Sequence, residues 1–130
     1  MAVFEKVLFV DDDPIMVKIT ERMMELLNFS NQFVAKKDGL QAKDYLINNT
    51  QELPDIIFVD LHMNVMNGWK FIEWFNEWSL LAKTKIPVYV LSSGLNEDDS
   101  TLHAIDGYLL KPITAENLSD ISGKHSVKNI

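Results

Sequence analysis

The chain has 130 residues, 47% of them apolar and 24% charged, which is the length of one domain and the composition of a globular protein rather than a disordered one. Its formal charge of −7 argues against a nucleic-acid-binding surface, and with no cysteine it has no disulfide, thiol chemistry or cysteine zinc site. No apolar run approaches the ~18 residues of a membrane helix, and the N-terminus lacks a signal-peptide pattern, so a cytoplasmic location away from membranes is expected.

Val7 to Val10 is fully apolar and reads as a buried strand. It runs into Asp11-Asp12-Asp13-Pro14, where Pro14 suits the first turn of a helix and Asp13 its N-cap. Asp13 is therefore read as a cap and not as a metal ligand. The helix that follows carries Ile15, Met16, Ile19, Met23, Leu26 and Leu27, taken as its buried face. Gln32 to Ala35 is a weaker strand, expected at an edge. After the Asp38-Gly39 turn a second helix covers about Leu40 to Asn48 and stops before Pro54.

Ile56-Ile-Phe-Val59 is bounded by Asp55 and Asp60, as in a parallel strand buried on both faces. A third helix runs from about Gly68 to Leu81. Trp69, Phe71, Phe75 and Trp78 are assigned to the core, and Trp74 is expected to be exposed as a mark of a partner surface. Val88 to Leu91 is a strand ending in Ser92-Ser93-Gly94. The acidic run at Asn96 opens a short helix through about Ala104, and Tyr108 to Leu110 is a fifth strand ending in Lys111-Pro112. A last helix starts near Thr114 and is expected to be cut short at Ser122-Gly123. His103 and His125 carry no motif and are read as surface residues.

Strands alternate with helices throughout. That order implies an α/β fold: a doubly wound, five-stranded parallel sheet with helices on both faces and right-handed crossovers. All strands of a parallel sheet point the same way. Asp11, Asp12, Asp60, Ser92 and Lys111 each follow a strand end, so they must gather at one edge of the sheet, where open α/β folds place their ligands. Three carboxylates close together call for a cation, and hard oxygen ligands without His or Cys favour Mg²⁺ or Mn²⁺ over zinc. A lysine and a hydroxyl beside them suit phosphoryl oxygens. The set resembles a phosphoryl-transfer site in which a carboxylate is the nucleophile.

With these motifs in order, Val10-Asp11-Asp12-Asp13-Pro14, Phe58-Val59-Asp60-Leu61-His62-Met63, Leu91-Ser92-Ser93 and Gly107-Tyr108-Leu109-Leu110-Lys111-Pro112, the chain resembles a response-regulator receiver domain. It is similar to the single-domain chemotaxis regulators of two-component signalling. The resemblance implies a flavodoxin-like sheet of order 2-1-3-4-5, with residues 1–122 as the receiver and 123–130 as a polar tail. It implies that Asp60 accepts a phosphoryl group from a sensor histidine kinase or a histidine phosphotransfer protein. Mg²⁺ would be bound by Asp11, Asp12, Asp60 and the backbone carbonyl of His62. Ser92 would turn toward the phosphoryl group, Lys111 would pair with it, and Tyr108 would report the position of Ser92. The Lys111–Pro112 bond would be cis.

The chain departs from the family pattern where Asn64 replaces a common Pro and Asn67 a common Asp. A more mobile loop with an intact site is expected. Gly94 offers no side chain to orient a water, and His62 stands at a position that tunes phosphoryl lifetime in the family. Ser92 to Lys111 is a short segment for the family, so the helix after Asn96 should be shortened, and the common dimer through it unused. The functional expectation is a stand-alone monomeric receiver, a binding module that catalyses only its own phosphorylation and dephosphorylation and switches binding to a downstream protein. Two alternatives compete with it. One is an aspartate-nucleophile phosphatase of the haloacid-dehalogenase type, which Asp11-x-Asp13 suggests and Pro14-Ile15 and the short chain disfavour. The other is a receiver-like scaffold that signals without phosphate.

Overall fold

A computed structural model describes residues 2–63, 65–94 and 105–126, the side chain of residue 126 excepted. Five strands, β1 (Phe4–Val10), β2 (Ser30–Lys36), β3 (Ile56–Asp60), β4 (Val88–Ser92) and β5 (Gly107–Leu110), form one sheet of order β2-β1-β3-β4-β5. Every neighbouring pair is parallel. The helices are α1 (Pro14–Leu26), α2 (Gly39–Asn48), α3 (Gly68–Leu81) and a C-terminal helix, α4 (Ala115–Ser126). The expected helix at 96–104 and His103 lie outside the described residues.

The sheet is buried on both faces because its central strands are apolar at successive positions, not at alternate ones. Leu8, Val10, Ile57, Val59, Val88 and Val90 pack on one side with Ala42 and Leu46 of α2 and Phe71, Ile72 and Phe75 of α3. Val7, Phe9, Ile56, Phe58, Tyr89 and Leu91 pack on the other with Met24 of α1 and Leu118 and Ile121 of α4. The fold is the doubly wound, flavodoxin-like one expected from the sequence.

Four local expectations are corrected. First, α1 buries Thr20 and Met24, with Met16, Val17 and Met23 partly covered, while Ile15, Ile19, Leu26 and Leu27 face outward. The helix carries two apolar stripes, and periodicity alone does not say which meets the sheet. Second, Trp74 is half-buried between α2 and α3. It stacks on Trp78 (centroids 5.4 Å apart), and Lys43 Nζ lies 5.6 Å from its ring. Third, α4 continues through Gly123 to Ser126. Fourth, His125 is therefore a core residue, 6% exposed, sharing a 2.7 Å hydrogen bond with the Tyr89 hydroxyl and meeting Phe4 and Tyr89 edge-on. A histidine one turn beyond Ile121 falls on the helix's buried stripe, whatever its polarity.

Candidate functional site

Because the strands are parallel, the residues that end β3 and β4 (Asp60 and Ser92) and those that follow β1 and β5 (Asp11, Asp12 and Lys111) meet at the carboxyl edge. Asp11 and Asp60 are buried there, Ser92 is fully buried, and Asp12 is exposed. One carboxylate oxygen from each of Asp11, Asp12 and Asp60 lies within 4.8 Å of the others. Lys111 Nζ reaches into this group, 3.0 Å from Asp11 Oδ2 and 3.4 Å from Asp60 Oδ2.

Local structure fixes each donor. Asp13 caps α1, its Oδ1 accepting from the backbone N–H of Ile15 (3.0 Å) and Met16 (3.4 Å). Its own N–H donates to Asp11 Oδ1 at 3.0 Å, which orients the Asp11 carboxylate. The N–H of His62 donates to Asp60 Oδ1 at 3.3 Å, and the His62 side chain is exposed. The Lys111 N–H donates to the Ser92 carbonyl at 2.9 Å, which ties the two strand ends together. The Lys111–Pro112 peptide is cis. The Ser92 hydroxyl donates to the Gly94 carbonyl at 2.6 Å and accepts from the Gly94 N–H at 3.2 Å. Tyr108 is half-buried, its ring 6.5 Å from that of Trp69.

The loop after β3 is held by two close backbone contacts. Gly68 opens α3 directly beneath the end of β3, where a Cβ would lie 2.5 Å from the Asp60 carbonyl oxygen. The Gly68 N–H donates to the Leu61 carbonyl at 3.1 Å, and Asn67 caps the helix by accepting from the Lys70 N–H at 2.9 Å. Asn67 thus fills the cap role well. The Gly39 N–H donates to the Met66 carbonyl at 3.0 Å, anchoring the loop to α2. The helix start expected near Gly68 is where α3 begins, but its approach to Asp60 was not expected. Its contact with the acidic residue is three-dimensional, and the only linear signal was a glycine at a helix start.

Electrostatics follow from burial. Desolvation pushes the Asp60 carboxyl above its ordinary range and Asp11 adds to the rise, while Lys111 and the His62 N–H oppose it. For Lys111, burial pulls the ammonium down, but Asp11 and then Asp60 outweigh it, and the net shift is upward. Three carboxylates thus face one ammonium. Asp11 Oδ2 is buried and takes no hydrogen bond of good angle, although the ammonium lies close by. An under-satisfied buried carboxylate oxygen beside two more carboxylates fits a hard divalent cation, and the all-oxygen donor set suits Mg²⁺ or Mn²⁺.

Residues 7–122 match the family model of the response regulator receiver domain. The chain belongs to that family. Among its relatives, the two-component response regulator ORR22 of Oryza sativa subsp. indica is 29% identical over 121 residues, which is 89% of this chain and 16% of that protein. The peroxide stress-activated histidine kinase mak1 of Schizosaccharomyces pombe is 30% identical over 120 residues, covering 87% of this chain and 7% of the kinase. The chain therefore spans a small part of the curated relatives it matches. A crystal structure of a two component response regulator from Cytophaga hutchinsonii superposes with a TM-score of 0.86 at 27% identity, covering 96% of this chain and 98% of that one. Like the receivers it resembles, the chain is a signalling module of the two-component type. Among the described residues no helix is long and apolar enough to cross a membrane.

Proposed function

We propose that this receiver is switched by a phosphoryl group on Asp60. A phosphohistidine on a sensor kinase or histidine phosphotransfer protein is the donor. Asp60 Oδ attacks phosphorus, the P–N bond breaks, and the imidazole leaves and takes up a proton. The observation that carries this reading is the cluster itself, with the buried Asp60 carboxylate beside Asp11, Asp12 and the Lys111 ammonium.

Asp11, Asp12, Asp60 and the backbone carbonyl of His62 would hold Mg²⁺, which supplies positive charge to the phosphoryl oxygens. Lys111 neutralises part of the charge that Asp60 brings, and pairs with a phosphoryl oxygen once Asp60 is esterified. Ser92 gives up its bond to the Gly94 carbonyl and donates to the phosphoryl group instead. Tyr108, on the same strand as Lys111, follows that movement and changes the surface that a downstream protein reads. The chain would catalyse only its own phosphorylation and dephosphorylation, in the cytoplasm. The match of a histidine kinase to this chain supports a phosphorelay setting.

The test is incubation with acetyl phosphate and Mg²⁺ followed by intact-mass spectrometry. The expected result is a gain of one phosphoryl group that chelation abolishes and Asp60→Asn prevents. An unchanged mass with both acetyl phosphate and a phosphorylated histidine phosphotransfer domain would overturn the proposal.

A further inference from the structure

α2 and α3 lie on the same face of the sheet and share the core beneath them. Lys43 shows how they are aligned, because its Nζ lies 5.6 Å from the Trp74 ring. One turn further along, Ile47 of α2 comes level with Trp78 of α3. Trp74 and Trp78 stack with centroids 5.4 Å apart, and both are half-buried. Leu40 and Ile47, on the side of α2 toward α3, are 42% and 45% exposed, and Leu81 at the end of α3 is 85% exposed. These five residues line an apolar groove floored by two indoles. It runs about 15 Å along the ten residues of α2 at the usual helical rise. Single exposed apolar residues need no explanation, but a contiguous strip with charged margins marks an interaction surface.

The margins indicate what covers it. The outer side of α2 carries Asp44, and that of α3 carries Glu73 and Glu77, all exposed. Lys43, between the two helices, is half-buried and turned onto the Trp74 ring. Lys70 and Lys83 are exposed at the two ends of the groove rather than along it. A second copy of the chain is a poor occupant, because two grooves packed face to face and antiparallel set acidic margin against acidic margin. A helix with an apolar stripe and basic flanks suits both features. Its stripe lies along the indoles, and its flanks meet Asp44 on one side and Glu73 and Glu77 on the other. The formal charge of −7 draws such a helix in.

We propose that the groove between α2 and α3 docks an amphipathic, basic helix of a partner protein. The groove shares no side chain with the acidic cluster, so docking does not require phosphorylation of Asp60.

Isothermal titration calorimetry of the unphosphorylated protein tests this with a synthetic peptide of about 18 residues, leucine on one helical face and lysine on the other. The expected result is saturable one-to-one binding. Leu81→Ser weakens it about tenfold, while Leu26→Ser, at another largely exposed leucine on α1 (68%), leaves it unchanged. Glu73→Lys combined with Glu77→Lys weakens it at least as much. Glu116→Lys combined with Asp120→Lys on α4 changes the net charge equally and leaves most of the affinity. All these positions are exposed, and circular dichroism checks that each variant stays folded. Absence of binding overturns the proposal, as does equal binding of a peptide with glutamate in place of lysine. Equal weakening by the two charge exchanges also overturns it, by reducing the attraction to net charge alone. Self-association in sedimentation velocity that Leu81→Ser abolishes overturns it too, and gives the groove to a second copy.

Discussion

Asp60 is held as a buried carboxylate against its surroundings. Burial and the neighbouring Asp11 raise its pKa in the folded protein, and Lys111 only partly offsets them. A carboxyl whose folded pKa lies above its unfolded value favours the folded state most below the unfolded pKa. That contribution is lost as pH rises through the folded pKa. At neutral pH without divalent cations, the ionised Asp60 therefore costs stability. Asp60→Asn is expected to melt higher than the wild type at neutral pH in chelator, with the gap closing as pH falls below the ordinary carboxylate range. Thermal melts across that range check it, and equal melting temperatures at neutral pH would count against the electrostatic account. The strain has a use, since a carboxylate under these conditions gains from whatever neutralises it.

At the scale of elements, the site depends on how closely α3 approaches β3. The glycine at the start of α3 lets the helix sit against the Asp60 carbonyl, with no room for a methyl group. Gly68→Ala places new atoms against backbone that has no rotamer to retreat into, and is expected to cost about 1–3 kcal/mol. The same shift displaces the loop carrying Leu61 to Met63, so Mg²⁺ affinity should fall as well. Urea unfolding and a Mg²⁺ titration followed by tryptophan fluorescence measure the two effects. A stability within error of the wild type would mean that the helix simply slides outward. At the opposite edge of the sheet, Tyr89 joins β4 to α4 through His125, and its ring lies over Gly107, where a Cβ would meet it at 2.5 Å. The strand that ends in Ser92 is thus tied to the C-terminal helix at its far end.

For the whole molecule, the acidic cluster makes folding and cation binding one problem. A cation that binds only the folded state stabilises it by mass action, by about 2.7 kcal/mol at a hundredfold excess over the dissociation constant. The melting temperature is therefore expected to rise with Mg²⁺ concentration. Asp12 is exposed, so Asp12→Asn should change stability in chelator by no more than about 0.5 kcal/mol and yet abolish most of the Mg²⁺-dependent rise. Differential scanning calorimetry with and without Mg²⁺ separates the two. An undiminished rise in the variant would show that Asp12 is not a ligand.

The alternation of apolar strands with helices by itself determined the parallel sheet. Because parallel strands share a direction, it also determined that Asp11, Asp12, Asp60, Ser92 and Lys111 would share an edge. That reasoning needs only order and direction, which one dimension encodes. What one dimension does not encode is which of two stripes on α1 turns inward, since Ile15–Ile19–Leu26 and Met16–Thr20–Met24 both have helical spacing. Nor does it encode that Gly68 lies against Asp60, that Lys111 divides itself between Asp11 and Asp60, or that His125 is drawn into the core beside Tyr89. These depend on distances between segments far apart in the chain. Packing of the finished sheet against its helices decides them, because only there do burial and steric exclusion outweigh the local preference of each residue.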